Sequence, residues 1–358
     1  MRKSVPTHGM FLLLGTSPIL CCRSSFLLHP ATIRTLYAIR SGSQSAPPWK
    51  YDVSTCAVQG GRAYMEDEHF STPSGDFLAV FDGHGGRAVS RYLRQNLYAN
   101  VISSLPGVGN DGNGNADADD TMGDEEGCIV PTHAPLHPSL DDHEYALKKA
   151  LDKVDREVQR VSHWSFQGST AVALWIYSDL TTRTVLAANI GDSRAVLSRN
   201  RKAFSLTTDH KPNLPKEKAR IEAQGGSVVW CGLVDTLGLP IETQGVYRVN
   251  GNLALSRAMG DRSERPAVTA EPDITRMQLV EQDEFIVLAT DGLWDVMSSQ
   301  EVVTYIHAIL DTHNDPLKPD YRRKALQENM ANLLVAEALK RGTMDNVTIV
   351  ILWLRPIR

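Results

Sequence analysis

Acidic residues recur at the ends of apolar runs in this 358-residue chain. Phe77–Phe81 runs into Asp82-Gly83, and Phe285–Thr290 into Asp291-Gly292, with Asp295 just beyond. Asp345-Asn346 stands directly before Val347–Leu354. Asp192 lies in the turn "NIGDSRAV", and Glu66-Asp67 in "GGRAYMEDEHF". Taken singly, Asp-Gly and Asp-Asn are ordinary turn formers, because the side chain caps its own backbone. Taken together they have a second reading. Carboxylates carried by rigid strand ends to one edge of a core repel one another, and hard cations offset that repulsion. Oxygen-only donors select Mg²⁺ or Mn²⁺ over zinc. Gly83, without a Cβ, leaves room for a metal-bound water or for its own carbonyl to approach.

The elements that must carry these residues are legible as apolar patterns. Strands are expected at Phe77–Phe81, Ser169–Tyr177, Thr184–Ile190, Arg194–Ser198, Phe285–Thr290 and Val347–Leu354. Several are apolar on both alternating sets, as strands covered on both faces are: Val172, Leu174 and Ile176 against Ala171, Ala173 and Trp175. Helical stripes appear at Val89, Leu93, Leu97 and Val101, and at Leu147, Leu151, Val154, Val158 and Val161. Pro215–Gln224 has Pro in its first turn and Gly225 just past its end. Ser298 and Glu301 suit a capping box before Val302–Leu310, and Arg322–Arg341 supplies another long helix. Hairpins with helices inserted between them point to antiparallel sheets covered by helices, not to a doubly wound parallel sheet.

Charge and composition exclude some functions. Residues 1–50 hold Arg2, Lys3, Arg23, Arg34, Arg40 and Lys50 and no acid, which leaves 31 bases against 42 acids in the remainder. Such a body lacks the basic face of a nucleic-acid binder and suits one that holds cations. The leader, 1–48, is Ser-rich and Arg-containing, as import sequences for a mitochondrion or plastid are. A secretory signal, or a cytoplasmic chain with a disordered tail, are the alternatives. Its apolar stretch Met10–Cys22 is too short to span a membrane. Cys21, Cys22, Cys56, Cys128 and Cys231 contain no C-x-x-C pair, so neither a zinc site nor a disulfide framework is indicated. One domain, 49–356, follows the leader. Gly107–Gly127 carries seven carboxylates and no base, and with the stretch to about residue 142 it reads as a disordered, solvated insertion.

In order, "GGRAYMED", "VFDGHGG", "GSTAVALWI", "ANIGDSRAVL", "TTDHKP", "RIEAQGGSV", "RVNGNLALSRAMGD", "AEPDI", "VLATDGLWDVMS" and "DNVTIVIL" resemble the motif series of the metal-dependent, type 2C Ser/Thr protein phosphatases. The resemblance covers about 51–354. It implies an α+β fold, a four-layer α-β-β-α sandwich of two antiparallel sheets flanked by helices. It also implies hydrolysis of phosphoserine and phosphothreonine in a protein substrate by a hydroxide held on two Mg²⁺ or Mn²⁺ ions. By the same likeness Asp82 bridges the two ions, the Gly83 carbonyl binds one, and Asp291 and Asp345 complete the other's shell. Glu66, and with it Asp67, acts through metal-bound water, and Asp192 matches the position of a weaker third ion. Arg62 grips phosphoryl oxygens, and His84, a surface turn histidine if read alone, becomes the proton donor to the leaving alkoxide. Asp295, Asn346 and Arg194 lie in matching motifs without an assigned role; Asp295 could cap the Ser298 region, and Arg194 could pair with a neighbouring acid. Trp175 and Trp294 are expected in the core. Gly225–Tyr247, at the family's variable flap, is apolar at Trp230, Leu233, Val234 and Leu237, which suits core packing or contact with a substrate protein. The partner expected is a phosphorylated protein, with no nucleic acid and no transmembrane segment, and the chain is expected to be a monomer. The rival readings are a non-catalytic binding module that keeps this fold, and a hydrolase of small phosphate esters.

Overall fold

Continuous apolar runs need cover on both faces, and two sheets stacked between helices provide it. The computed structural model describes residues 50–106, 138–179, 182–312 and 321–354. The expected leader and residues 107–137 of the insertion lie outside these. One five-stranded sheet has the order β1 (Asp52–Val58), β15 (Val347–Trp353), β14 (Asp283–Ala289), β8 (Arg194–Arg199), β9 (Lys202–Ser205). The other has the order β13 (Asp273–Gln278), β7 (Arg183–Ile190), β6 (Ala171–Ser178), β3 (Phe77–Phe81), β2 (Glu68–Ser71). Every ladder in both is antiparallel.

The two sheets meet through Leu78, Val80, Val172, Leu174, Val185, Leu197, Ile286, Leu288, Val350 and Leu352. Alternate residues of the same strands point outward. Phe77, Ala79 and Phe81 pack with Ala173 and Trp175 under α1 (Ala88–Ser103) and α2 (Leu140–Gln159). Val287, Ala289, Val347, Ile349 and Ile351 pack under α4 (Asp291–Trp294), α5 (Ser299–Thr312) and α6 (Tyr321–Lys340). That is the α-β-β-α order the resemblance implies, and it agrees with the antiparallel, helix-covered sheets expected from the pattern. The remaining elements are α3 (Pro215–Ala223), the hairpin of β10 (Val228–Val234) with β11 (Pro240–Val249), and a small sheet of β4 (Gly83–His84), β5 (Gly168–Ser169) and β12 (Met259–Gly260).

The expected helices take their places. Val89, Leu93, Leu97 and Val101 are wholly buried along α1. Ser298 and Glu301 do form reciprocal cap bonds before α5. The insertion was expected to run to about residue 142, but α2 opens at Leu140, because Ser139 and Asp142 close a capping box there. Val161 falls beyond the end of α2 and is only half-buried. Trp175 and Trp294 are core residues, as expected. The hairpin corrects the core-packing alternative for the flap. Trp230 leans on Tyr247 with ring centroids 5.0 Å apart, but Leu233, Val234 and Leu237 are exposed. No helix among the described residues is long and apolar enough to cross a membrane.

Candidate active site

Both sheets contribute acids to one end of the sandwich. β3 delivers Asp82, whose backbone is fixed by Thr170: the Asp82 N–H donates to Thr170 Oγ1 at 3.0 Å and its carbonyl accepts the Thr170 N–H at 2.9 Å. Gly83 sits where a Cβ would overlap the Glu66 carbonyl oxygen and crowd the Ser90 hydroxyl, so the chain passes only as glycine. β14 ends at Thr290, and Asp291 opens α4. Asp345 lies just before β15, and Asn346 ties that turn to the loop 59–66. Its Oδ1 accepts the Glu66 N–H at 2.8 Å, and its Nδ2 donates to the Gln59 and Tyr64 carbonyls at 2.8 and 3.0 Å. Asn346 thus sets Glu66 and Asp345 in register. Asp192 is buried in the turn between β7 and β8.

The electrostatics show that these acids face one another. Asp82 is held well above the ordinary carboxylate range, first by burial and then by the charges of Asp67, Asp291, Asp192 and Asp345. Asp291 is raised likewise, by burial and then by Asp192, Asp295 and Asp345, with Lys211 opposing. Asp67 is pushed up to about 7, chiefly by burial, with the hydroxyls of Thr348 and Thr290 only partly offsetting it. Thr290 Oγ1 donates to Asp67 Oδ2 at 2.9 Å, while buried Asp67 Oδ1 has no hydrogen-bond partner among the described residues.

Two cations answer this charge. Arg62, largely exposed, reaches Asp345 at 2.5 Å. Lys211 pairs with Asp192, whose charge outweighs the burial that opposes the ammonium and raises its pKa. Lys211 lies in the "TTDHKP" segment, where nothing in the local sequence marks it as a partner of Asp192. Its neighbour His210 accepts the Gly191 N–H on Nδ1 at 3.1 Å, and its Nε2 lies 3.1 Å from Asp273, so it braces the Asp192 turn from behind.

His84 has a partner that sequence reasoning also missed. Its Nε2 is 2.7 Å from Oδ2 of Asp261, a buried residue held at φ +46°. Burial disfavours charge on the ring, but the Asp261 hydrogen bond and charge outweigh it and raise the pKa. No described residue engages Nδ1. A Cβ on Gly168 would overlap both Asp261 Oδ2 and His84 Nε2, so glycine makes the pair possible. The signal lay in "RAMGD", where the Asp follows a Gly, but nothing in the sequence places it opposite a residue 177 positions away.

Arg194 makes a two-pronged pair with Asp209, at 3.0 and 2.8 Å, and stacks on Trp294. It is a structural ion pair, as one of its sequence readings had it. Asp295 is exposed and does not cap Ser298, whose partner is Glu301.

The donors suit Mg²⁺ or Mn²⁺: all are oxygens, they repel one another, and one buried carboxylate oxygen lacks a partner. Among the described residues no three acid, imidazole or thiol groups stand close enough to enclose an ion as they are. Arg62 and Lys211 hold Asp345 and Asp192 instead.

Residues 51–347 match the family model "Protein phosphatase 2C". "Probable protein phosphatase 2C 11" of Arabidopsis thaliana is 33% identical over 309 residues, 84% of this chain; the chain spans 66% of that relative's length. Among solved structures, one described as a C. elegans sex determining protein has 28% identity and a TM-score of 0.64, covering 91% of this chain and 71% of its own. A serine-threonine phosphatase 2C from Toxoplasma gondii, 23% identical with a TM-score of 0.62, covers 87% of this chain and 96% of its own and shares the fold.

Proposed function

Because the chain belongs to the protein phosphatase 2C family, we propose that it hydrolyses phosphoserine and phosphothreonine in protein substrates with two resident Mg²⁺ or Mn²⁺ ions. The carrying observation is the set of mutually repelling carboxylates at one end of the sandwich. Asp82, the Gly83 carbonyl, Asp291 and Asp345 would hold the two ions, with Glu66 and Asp67 acting through water and Asp192 serving a third. When bound, the ions supply an acidic water as nucleophile and positive charge for the phosphoryl oxygens.

The chain's own residues do the rest. The Arg62 guanidinium, largely exposed, can leave Asp345 to grip two phosphoryl oxygens. Asp261 fixes the His84 ring and leaves Nδ1 to deliver a proton to the departing alkoxide. Retention of Asp82, Asp291 and Asp345 argues against a non-catalytic binding module.

The test is hydrolysis of p-nitrophenyl phosphate with Mn²⁺, and its loss in Asp82→Asn. No turnover by the unaltered protein would end the phosphatase reading. Faster turnover of small metabolite esters than of phosphopeptides would move the substrate class. The acid-free leader we read as an import address for a mitochondrion or plastid. A fluorescent fusion of the full chain that remains in the cytosol would refute that.

A further inference from the structure

Single exposed apolar residues are common on any protein surface and usually carry no meaning. Their placement here is not scattered. Outside the hairpin β10–β11, the three most exposed large hydrophobic residues among those described are Phe166, Tyr64 and Met344, at 78%, 76% and 69%. Each lies beside a group assigned to the chemistry. Tyr64 is two residues from Arg62 and from Glu66, and its carbonyl accepts a bond from Asn346. Met344 immediately precedes Asp345, and its carbonyl accepts the Gly61 N–H at 3.1 Å, so it belongs to the same pair of loops as Tyr64. Phe166 stands beside the turn that follows His84. Its carbonyl packs against Gly85, and the next residue, Gln167, accepts the Asp261 N–H at 2.9 Å and leads into Gly168 beneath the His84–Asp261 pair.

An aromatic ring, a thioether chain and a second aromatic ring are therefore exposed on the Arg62 loop, on the Asp345 loop and against the turn that follows His84. None is held in place by burial, and none contributes to a core cluster. We infer that Tyr64, Phe166 and Met344 form a specificity rim that receives apolar side chains flanking the phosphorylated residue of the substrate. This rests on the phosphatase reading. The occupant follows from continuity with the reaction site: a peptide whose phosphoryl group reaches Arg62 must lay its neighbouring residues across these side chains. Apolar neighbours would bury surface there, whereas acidic ones would lose solvation against ring faces that repel a carboxylate. Met adapts to different shapes, and the aromatic rings supply large contact area with few rotatable bonds.

The experiment uses the full chain with Mn²⁺ and four substrates. These are p-nitrophenyl phosphate and three phosphoserine peptides of one length whose flanking residues are Leu and Phe, Gly, or Asp. The unaltered protein should favour the Leu/Phe peptide over the Asp peptide by at least tenfold in kcat/KM. In the triple variant Tyr64→Ser, Phe166→Ser, Met344→Ser that preference should fall to within threefold, through a higher KM. Turnover of the Gly-flanked peptide should stay within twofold. Single variants should each remove part of the preference, which keeps the test open if the triple variant folds poorly. An unaltered protein that does not discriminate would overturn the inference, as would a triple variant that keeps the preference or loses the Gly-flanked peptide equally. Turnover of p-nitrophenyl phosphate with no flanking preference removes the rim alone, whereas no turnover of any substrate removes the phosphatase reading beneath it.

Discussion

Asp67→Asn is expected to stabilise the metal-free protein while damaging its use of metal. Asp67 is 4% exposed, and burial lifts its pKa from 3.8 to about 7. A carboxylate raised in the folded state contributes its full stability below the unfolded pKa, and that stability is lost as pH rises through the folded value. Between pH 4 and pH 7 the rise corresponds to about 4 kcal/mol lost by the metal-free wild type. Asparagine does not ionise. It keeps an acceptor for Thr290 and sets an amide donor where Oδ1 has no partner, with Asp82 as the neighbouring charge. The assay is urea unfolding of both proteins in EDTA, followed by tryptophan fluorescence, at pH 5 and at pH 8. The variant should gain up to about 4 kcal/mol over the wild type at pH 8, and the gap should shrink as pH falls toward 4. Saturating Mn²⁺ should narrow it, since a ligand at a hundred times its Kd adds about 2.7 kcal/mol to the protein that binds it. A wild type as stable as the variant at pH 8, or a gap independent of pH, would refute the reasoning.

Three further outcomes follow from the same geometry. Asp261→Asn should slow phosphoserine peptides by about 10²-fold but p-nitrophenyl phosphate by much less, because only the poor leaving group needs the His84 proton; equal losses on both would remove Asp261 from proton delivery. Lys211→Met should cost about 1–2 kcal/mol in EDTA, a value discounted for its partial exposure, and added Mn²⁺ should restore most of it in a thermal melt. Gly168→Ala should leave circular dichroism unchanged yet lower kcat on phosphopeptides about tenfold or more, since the added methyl must part His84 from Asp261.

The strands that carry the acids were legible because they are apolar on both faces. Phe77–Phe81 is β3 to the residue, and β14 and β15 differ from expectation by a residue or two at their ends. β1 and β13 gave no such signal. They are edge strands with mixed burial, and "DVSTCAV" and "DITRMQ" read as polar segments until a neighbouring strand supplies the pairing. Within the site, Asp82, Asp291 and Asp345 could be named from their Asp-Gly or Asp-Asn turns. The counter-charges could not. Lys211 returns to Asp192 across the β8–β9 hairpin, and Asp261 reaches His84 from 177 positions away, with no local pattern to mark either.

The acids are divided between the two sheets. Asp82 follows a strand of one, Asp291 and Asp345 flank strands of the other, and Glu66, Asp67 and Asp192 sit on direct steps between them, from β1 to β2 and from β7 to β8. Neither half of the sandwich owns a complete set, so cation binding doubles as a gauge of how the halves are seated. A cavity at Val172 or Ile286, deep between the sheets, lets one slide against the other and should weaken Mn²⁺ affinity without altering a single ligand. On the proposed two-ion reading, the response to metal is thereby tied to the tightness of the middle layer.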